Sequence, residues 1–158
     1  MESAAAEERD AAIMEGRVDS NGIPLISVVA DGCWSNRSYK NNYSALSGAA
    51  AIIGQKFGKV LFMAVRNKYC CICARADKIK TTAKPHKCFK NFTGSSSSME
   101  ADILVEGFKT SLDMHNVIYA TIISDGDSRT YAKILQGRPY PHHIVEKIEC
   151  RNHILRNL

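Results

Sequence analysis

An α/β fold, a mixed sheet flanked by helices, is predicted by three features of this 158-residue chain. Apolar runs of strand length recur along it, a segment with helical spacing separates the third from the fourth, and an acid closes two of the runs. With 45% hydrophobic residues the chain matches one ordinary domain and can bury a core of its own.

Residues 1–20 are rich in Ala and Glu and read as an acidic surface helix or frayed leader, ending at the turn residues Asp19, Ser20, Asn21 and Gly22. The folded unit is expected to occupy residues 21–158, its first strand beginning near Ile23. That strand carries Leu25, Ile26, Val28, Val29 and Ala30 and is closed by Asp31. A polar link with Asn36, Asn41 and Asn42 follows. Residues 49–54 and 60–65 flank Gln55, Lys56, Phe57, Gly58 and Lys59, which is the pattern of a hairpin. After a cysteine-bearing excursion over residues 68–90, a serine run opens a core helix with Ala101, Leu104, Val105, Phe108 and Leu112 at helical spacing. A strand over 118–124 is closed by Asp125. A short helix over 131–135 is broken by Pro139 and Pro141, and a last strand over 144–148 leads into a helical tail.

Three antiparallel strands, a helix, a strand, a helix, a strand and a helix start is the order of a ribonuclease-H-like fold, here with a zinc-binding loop inserted between the third strand and the first core helix. That layout sets strands one and four side by side and brings Asp31 and Asp125 together. Two carboxylates converging there would suit a divalent metal and phosphodiester chemistry. An acid after a strand also serves simply as a turn former.

No run is long enough for a membrane span, and Met1 is followed by acids and alanines instead of a secretory leader, so an intracellular chain with reduced thiols is expected. Six cysteines in that setting point to metal before disulfides. Cys70-x-x-Cys73 and His86-x-Cys88 would supply three thiolates and one imidazole, a set that suits structural zinc, with Cys71 as a spare thiol that could compete. The other reading is a set of buried or merely exposed cysteines. Cys150 and His153 have spacing that shares a helix face, but two ligands do not make a site.

The net charge of +5 is uneven: residues 1–19 hold six acids and two bases, a net of −4, leaving +9 on the remainder. Lys56, Lys59, Arg66, Lys68, Arg75, Lys78, Lys80, Lys84, Lys87 and Lys90 are offset only by Asp77. They form either a phosphate-tracking surface or a loop charged for solubility. Ser97 and Glu100 have capping-box spacing, so Glu100 either bonds the Ser97 amide or acts as a third metal-site carboxylate. Asp127 either caps the helix through Tyr131 or joins the metal site.

Longer motifs run through these residues: Val29-Ala30-Asp31-Gly32-Cys33-Trp34-Ser35-Asn36-Arg37-Ser38-Tyr39, Leu46-Ser47-Gly48, Asn67-Lys68-Tyr69-Cys70 with Cys73, and His86-Lys87-Cys88. They continue as Gly94-Ser95-Ser96-Ser97-Ser98-Met99-Glu100, Ser124-Asp125-Gly126-Asp127-Ser128 and Glu149-Cys150-Arg151-Asn152-His153. In this order, spanning nearly all of the chain after residue 20, they closely resemble the Mutator-like transposase domain. The resemblance implies a DDE-type enzyme with a ribonuclease-H-like core that uses magnesium or manganese to cut and rejoin DNA. It assigns the first acid to Asp31 and the second to Asp125, and makes Cys150 and His153 a family signature of unstated role. DNA is the implied partner and the nucleus the implied location, with a homo-oligomer compatible and no membrane association expected.

One departure stands out. The third family acid belongs on a helix after Cys150 and His153, and no such residue is visible here. The expectation is therefore a fragment or remnant of a transposase core, the alternative being a catalytically inert DNA-binding or protein-interaction module. A glycosyltransferase reading of Asp125-Gly126-Asp127 explains neither the cysteine spacing nor Asp31.

Overall fold

A computed structural model describes residues 1–34, 45–124 and 128–149. Its elements are α1 (Glu2–Met14), β1 (Leu25–Trp34), β2 (Ser47–Gly54), β3 (Val60–Asn67), α2 (Cys71–Lys78), α3 (Met99–His115), β4 (Ile118–Ser124), α4 (Ser128–Gly137) and β5 (Glu146–Glu149). The strands form one mixed sheet in the order β3-β2-β1-β4-β5. β1 runs antiparallel to β2, and β2 to β3, while β1 with β4 and β4 with β5 are parallel. The five strands and the helices α3 and α4 follow the expected order, α2 is an addition to it, the expected helical tail lies outside the described residues, and β1 runs four residues past Ala30.

Burial alternates along β2, so every second residue from Gly48 to Gly54 faces the helices. α3 lies over this face. Ile103, Leu104 and Phe108 are fully buried there, each contributing about 1.5–3 kcal/mol by leaving water. Gly107 permits the close approach, since a Cβ at that position would sit 2.5 Å from Ile52 Cδ1 and 2.6 Å from Phe62 Cδ1. Asn116 ends the helix in the left-handed conformation at φ 52°, its N–H donating to the Leu112 carbonyl. Below it, Phe108 meets Tyr119 edge to face at 5.3 Å. The Tyr140 hydroxyl accepts from the Tyr119 amide at 3.0 Å and shares a 2.7 Å hydrogen bond with Ser111. α4 packs beside α3, where Gly137 lies close to Val105 and Lys109.

The N-terminal segment is a helix, as expected, but not a peripheral one. Ala4, Ala5, Glu8 and Ala12 of α1 are buried, and the three alanines belong to the same apolar cluster as Ile52 and Phe108. The folded unit thus includes α1 instead of beginning near Ile23. Glu8, 1% exposed, accepts the backbone N–H groups of Lys56 at 3.0 Å and Phe57 at 2.9 Å, capping the β2–β3 turn from outside the sheet. A Cβ on Gly54 would stand 2.3 Å from Glu8 Oε1, so this contact requires glycine.

Candidate metal centre and acidic strand ends

The excursion after β3 is a knuckle built on a short neck. Its outgoing and returning arms are tied by Asn91, whose side chain accepts from the Asn67 amide at 2.7 Å and donates to the Val65 carbonyl at 2.9 Å. The Asn91 amide returns a bond to the Asn67 carbonyl at 2.9 Å. Cys70 is the extended residue before α2, and Cys73 lies in the first turn of that helix, which the sequence reading treated as polar loop. His86 and Cys88 come back on the other arm, and one ligand atom from each of the four residues lies within 4.8 Å of all the others.

The separations match a metal tetrahedron. With Zn–S of about 2.3 Å and Zn–N of about 2.0 Å, edges of about 3.8 Å between sulfurs and about 3.5 Å between sulfur and nitrogen follow. Cys73 and Cys88 sulfurs are 3.7 Å apart, and His86 Nε2 is 3.2 Å from Cys70 Sγ and 3.5 Å from Cys73 Sγ. His86 Nδ1 lies 2.7 Å from the Lys84 carbonyl. A proton on Nδ1 donated to that carbonyl leaves Nε2 as the metal-facing nitrogen, the usual orienting bond of a ligand histidine. Cys71 stands exposed outside the cluster, so the spare thiol does not compete for this position.

The four groups share charge unequally. The Cys73 backbone N–H, with further help from Ile72, His86 and Cys73 itself, brings the Cys70 thiol down to about 6. Cys73 is pushed up to about 11, first by its bond with Cys88 and then by burial. The Lys84 carbonyl, followed by the Cys88 and Cys70 sulfurs, holds His86 up at about 9. Without metal at neutral pH the cluster therefore carries a Cys70 thiolate beside a His86 imidazolium, with Cys73 protonated.

At the other candidate site, Asp31 lies near the end of β1, exposed, its Oδ1 accepting from the Gly32 amide at 2.8 Å. β1 and β4 are parallel neighbours, and their last described pair is Val29 with Ile123, two residues before each acid. Asp125, Asp127, Cys150 and His153 lie outside the described residues. Glu100 reaches toward β1: a Cβ on Gly32 would be 2.7 Å from Glu100 Cδ and 2.8 Å from Oε2. The helix register differs from the capping-box expectation, because a single 3-10 turn over Ser96–Ser98 precedes α3 and makes Ser98, not Ser97, the residue before the helix. The Ser98 hydroxyl bonds the Ser95 carbonyl instead. Glu100 thus lies close to the backbone of Gly32 on β1.

A family model described as Mutator-like transposase matches residues 1–158. The chain belongs to the Mutator-like transposase family. No curated protein and no solved structure matches it. Within this transposase domain the basic residues fall into two groups. Lys59 pairs with Glu7 at 2.6 Å, Lys56 pairs with Glu15, and Arg66 bonds Asp102 at 2.5 Å and also Glu106. Two of the six acids in residues 1–19, Glu7 and Glu15, thereby pair with the lysines of the β2–β3 hairpin. Among the described residues, Lys78, Lys80, Lys84, Lys87 and Lys90 have no recorded ion pair. They lie near the Cys/His ligands along the chain, and Arg75 and Lys84 line a cleft of about 460 Å³ between α2 and residues 81–84. No helix among the described residues is long and apolar enough to cross a membrane.

Proposed function

We propose that this domain is the DNA-handling core of a DDE-type transposase with a ribonuclease-H-like fold, acting in the nucleus. The parallel pairing of β1 with β4, in register up to two residues before Asp31 and Asp125, carries the reading. Oxygen donors are what magnesium and manganese prefer, and Asp31 with Glu100 packed on the neighbouring Gly32 brings two carboxylates to one end of the sheet. Bound there, the metal would supply activation of an attacking oxygen and stabilisation of a leaving one. The side chains hold and orient: Asp31 and Asp125 as the principal ligands, Glu100 as the helix-borne acid behind Gly32, and Asp127 as a cap or further ligand. Zinc at Cys70, Cys73, His86 and Cys88 shapes the knuckle. Its lysines meet phosphates, giving binding that falls with salt as counterions are released. Cys150 and His153 we take as a family signature outside this site.

Thermal unfolding with added magnesium or manganese tests the acidic site. A metal at about 100 times its dissociation constant stabilises by about 2.7 kcal/mol. Asp31→Asn and Asp125→Asn should abolish the shift, and Asp127→Asn should reduce it less. A wild-type melting point indifferent to both ions would favour an inert DNA-binding module. Strand cleavage lost in Glu100→Gln would make Glu100 the third acid of the site.

A further inference from the structure

The neck of the knuckle carries two aromatic rings in water. Tyr69 is 47% and Phe89 64% exposed, a cost in apolar hydration that the fold itself does not need. Their placement follows from two cross-links. Asn67 is bonded to Asn91 at the base of the neck, and Cys70 meets Cys88 in the metal cluster three residues further along each arm. Between those ties Tyr69 lies one residue from Cys70 on the outgoing arm and Phe89 one residue from Cys88 on the returning arm. Cations surround the pair: Lys68 and Lys90 are adjacent in sequence, and Lys87 Nζ lies 5.7 Å from the centre of the Phe89 ring.

The neck also stands at the right end of the sheet. β1 ends where β2 begins and β3 ends, through the pairs Trp34 with Gly48 and Ser47 with Asn67. Asp31 pairs with Ala51, and Ala51 with Met63, so Asn67 lies two strands across and four residues along from Asp31. That separation is roughly 16 Å. We propose that Tyr69 and Phe89 form a base-stacking clamp that grips an unpaired DNA strand at the same end of the sheet as Asp31, with the knuckle lysines on its phosphates. Aromatic rings set among cations are the means by which proteins hold single strands without reading sequence, because every base offers a stacking face. A duplex keeps its bases covered and would engage only the lysines. This inference rests on the reading of the chain as a DNA-handling transposase domain.

Fluorescence anisotropy on the full, zinc-loaded chain, with a labelled oligothymidylate and a labelled duplex of equal length, tests it. Wild-type protein should prefer the single strand at equal salt. Phe89→Ala and Tyr69→Ala should each weaken that complex by about tenfold or more, with the salt slope unchanged because no phosphate contact is lost. Tyr69→Phe should bind like the parent, since the ring remains. Phe89→Leu, which keeps apolar bulk without a stacking face, should behave like Phe89→Ala, and zinc content and melting point confirm that each variant is folded. Ring variants that bind oligothymidylate as tightly as the parent, or that lose single strand and duplex equally, would overturn the clamp. If duplex binding then persisted and depended on the lysines, the DNA-handling reading would stand without it. If the wild type bound neither probe, both would fall.

Discussion

The sheet layer and the knuckle are two regions of one chain held by different chemistry. Under α3, Ile52, Ile103, Leu104, Phe108, Tyr119 and Ile122 are removed from water almost completely. Between residues 68 and 95, Ala76 is the one buried apolar residue, and exposed Ile72, Ile79 and Phe89 show how little the knuckle gains from burial. Its order comes from three sulfurs, one imidazole and the Asn91 bonds at the neck. The sheet is therefore packed on apolar area, and the knuckle is gathered around a cluster of three cysteines and a histidine that could hold zinc.

The largest effect should come from removing a metal ligand. Cys88→Ser or Cys70→Ser is expected to forfeit most of a zinc affinity that reaches about 10–16 kcal/mol in structural zinc peptides. Metal analysis should then find zinc near one per chain in the parent and near none in the variant. Proteolysis should open at the knuckle lysines while far-ultraviolet dichroism of the sheet layer persists. A metal-free knuckle that resisted protease would show that the two regions are not held by different forces. Loss of zinc in Cys150→Ser alone would move the site.

In the opposite direction, Phe108→Ala should lower stability by about 3–5 kcal/mol in denaturant titrations, through lost transfer energy and the cavity left behind. Zinc stoichiometry in the folded fraction should not change.

Next in size is the response of the knuckle to pH. At neutral pH, Cys73, raised to about 11, and His86, raised to about 9, both carry protons that zinc must displace, whereas Cys70, lowered to about 6, is already ionised. Binding should thus release at least two protons, and apparent affinity should rise by about a hundredfold per pH unit between the Cys70 and His86 values and more shallowly above the latter. Competition with a chelator across this range measures the slope. A flat profile would mean that the ligands are not these.

A smaller change joins the N-terminus to the sheet. Glu8→Ala leaves the Lys56 and Phe57 amides without their buried acceptor and should cost about 1–3 kcal/mol. The exposed pair of Lys59 with Glu7 should be worth less than about 1 kcal/mol, and Lys59→Ala should barely alter DNA affinity. Replacing Lys78, Lys80, Lys84 and Lys87 together by Glu should weaken DNA binding and flatten its salt dependence. Equal losses from Lys59 and from the knuckle lysines would erase the distinction between committed and free cations.

Much of this arrangement was legible in one dimension. Strand-length apolar runs, the helical spacing from Ala101 to Leu112 and the Cys-x-x-Cys with His-x-Cys pairs are local patterns, because backbone period and ligand reach act over a few residues. They led to the order of elements, to the hairpin and to the four metal ligands. The acidic N-terminus and the lysines of the β2–β3 hairpin were also visible as charges, but their mutual neutralisation was not, since Lys59 and Glu7 are far apart along the chain. The same holds for α1. Its alanines carry too weak an apolar signal to announce burial, and Glu8 looks like a surface residue until the turn amides of Lys56 and Phe57 are brought to it. Glu100 fits a helix cap by spacing, and only packing places it against Gly32 of another element. Sequence alone marked the strands, the core helix and the Cys/His cluster, though not α2, because the patterns that mark them are local. Tertiary structure decided which charges are paired and that Glu100 packs on Gly32, because Coulomb and packing terms depend on distance in space and not on separation along the chain.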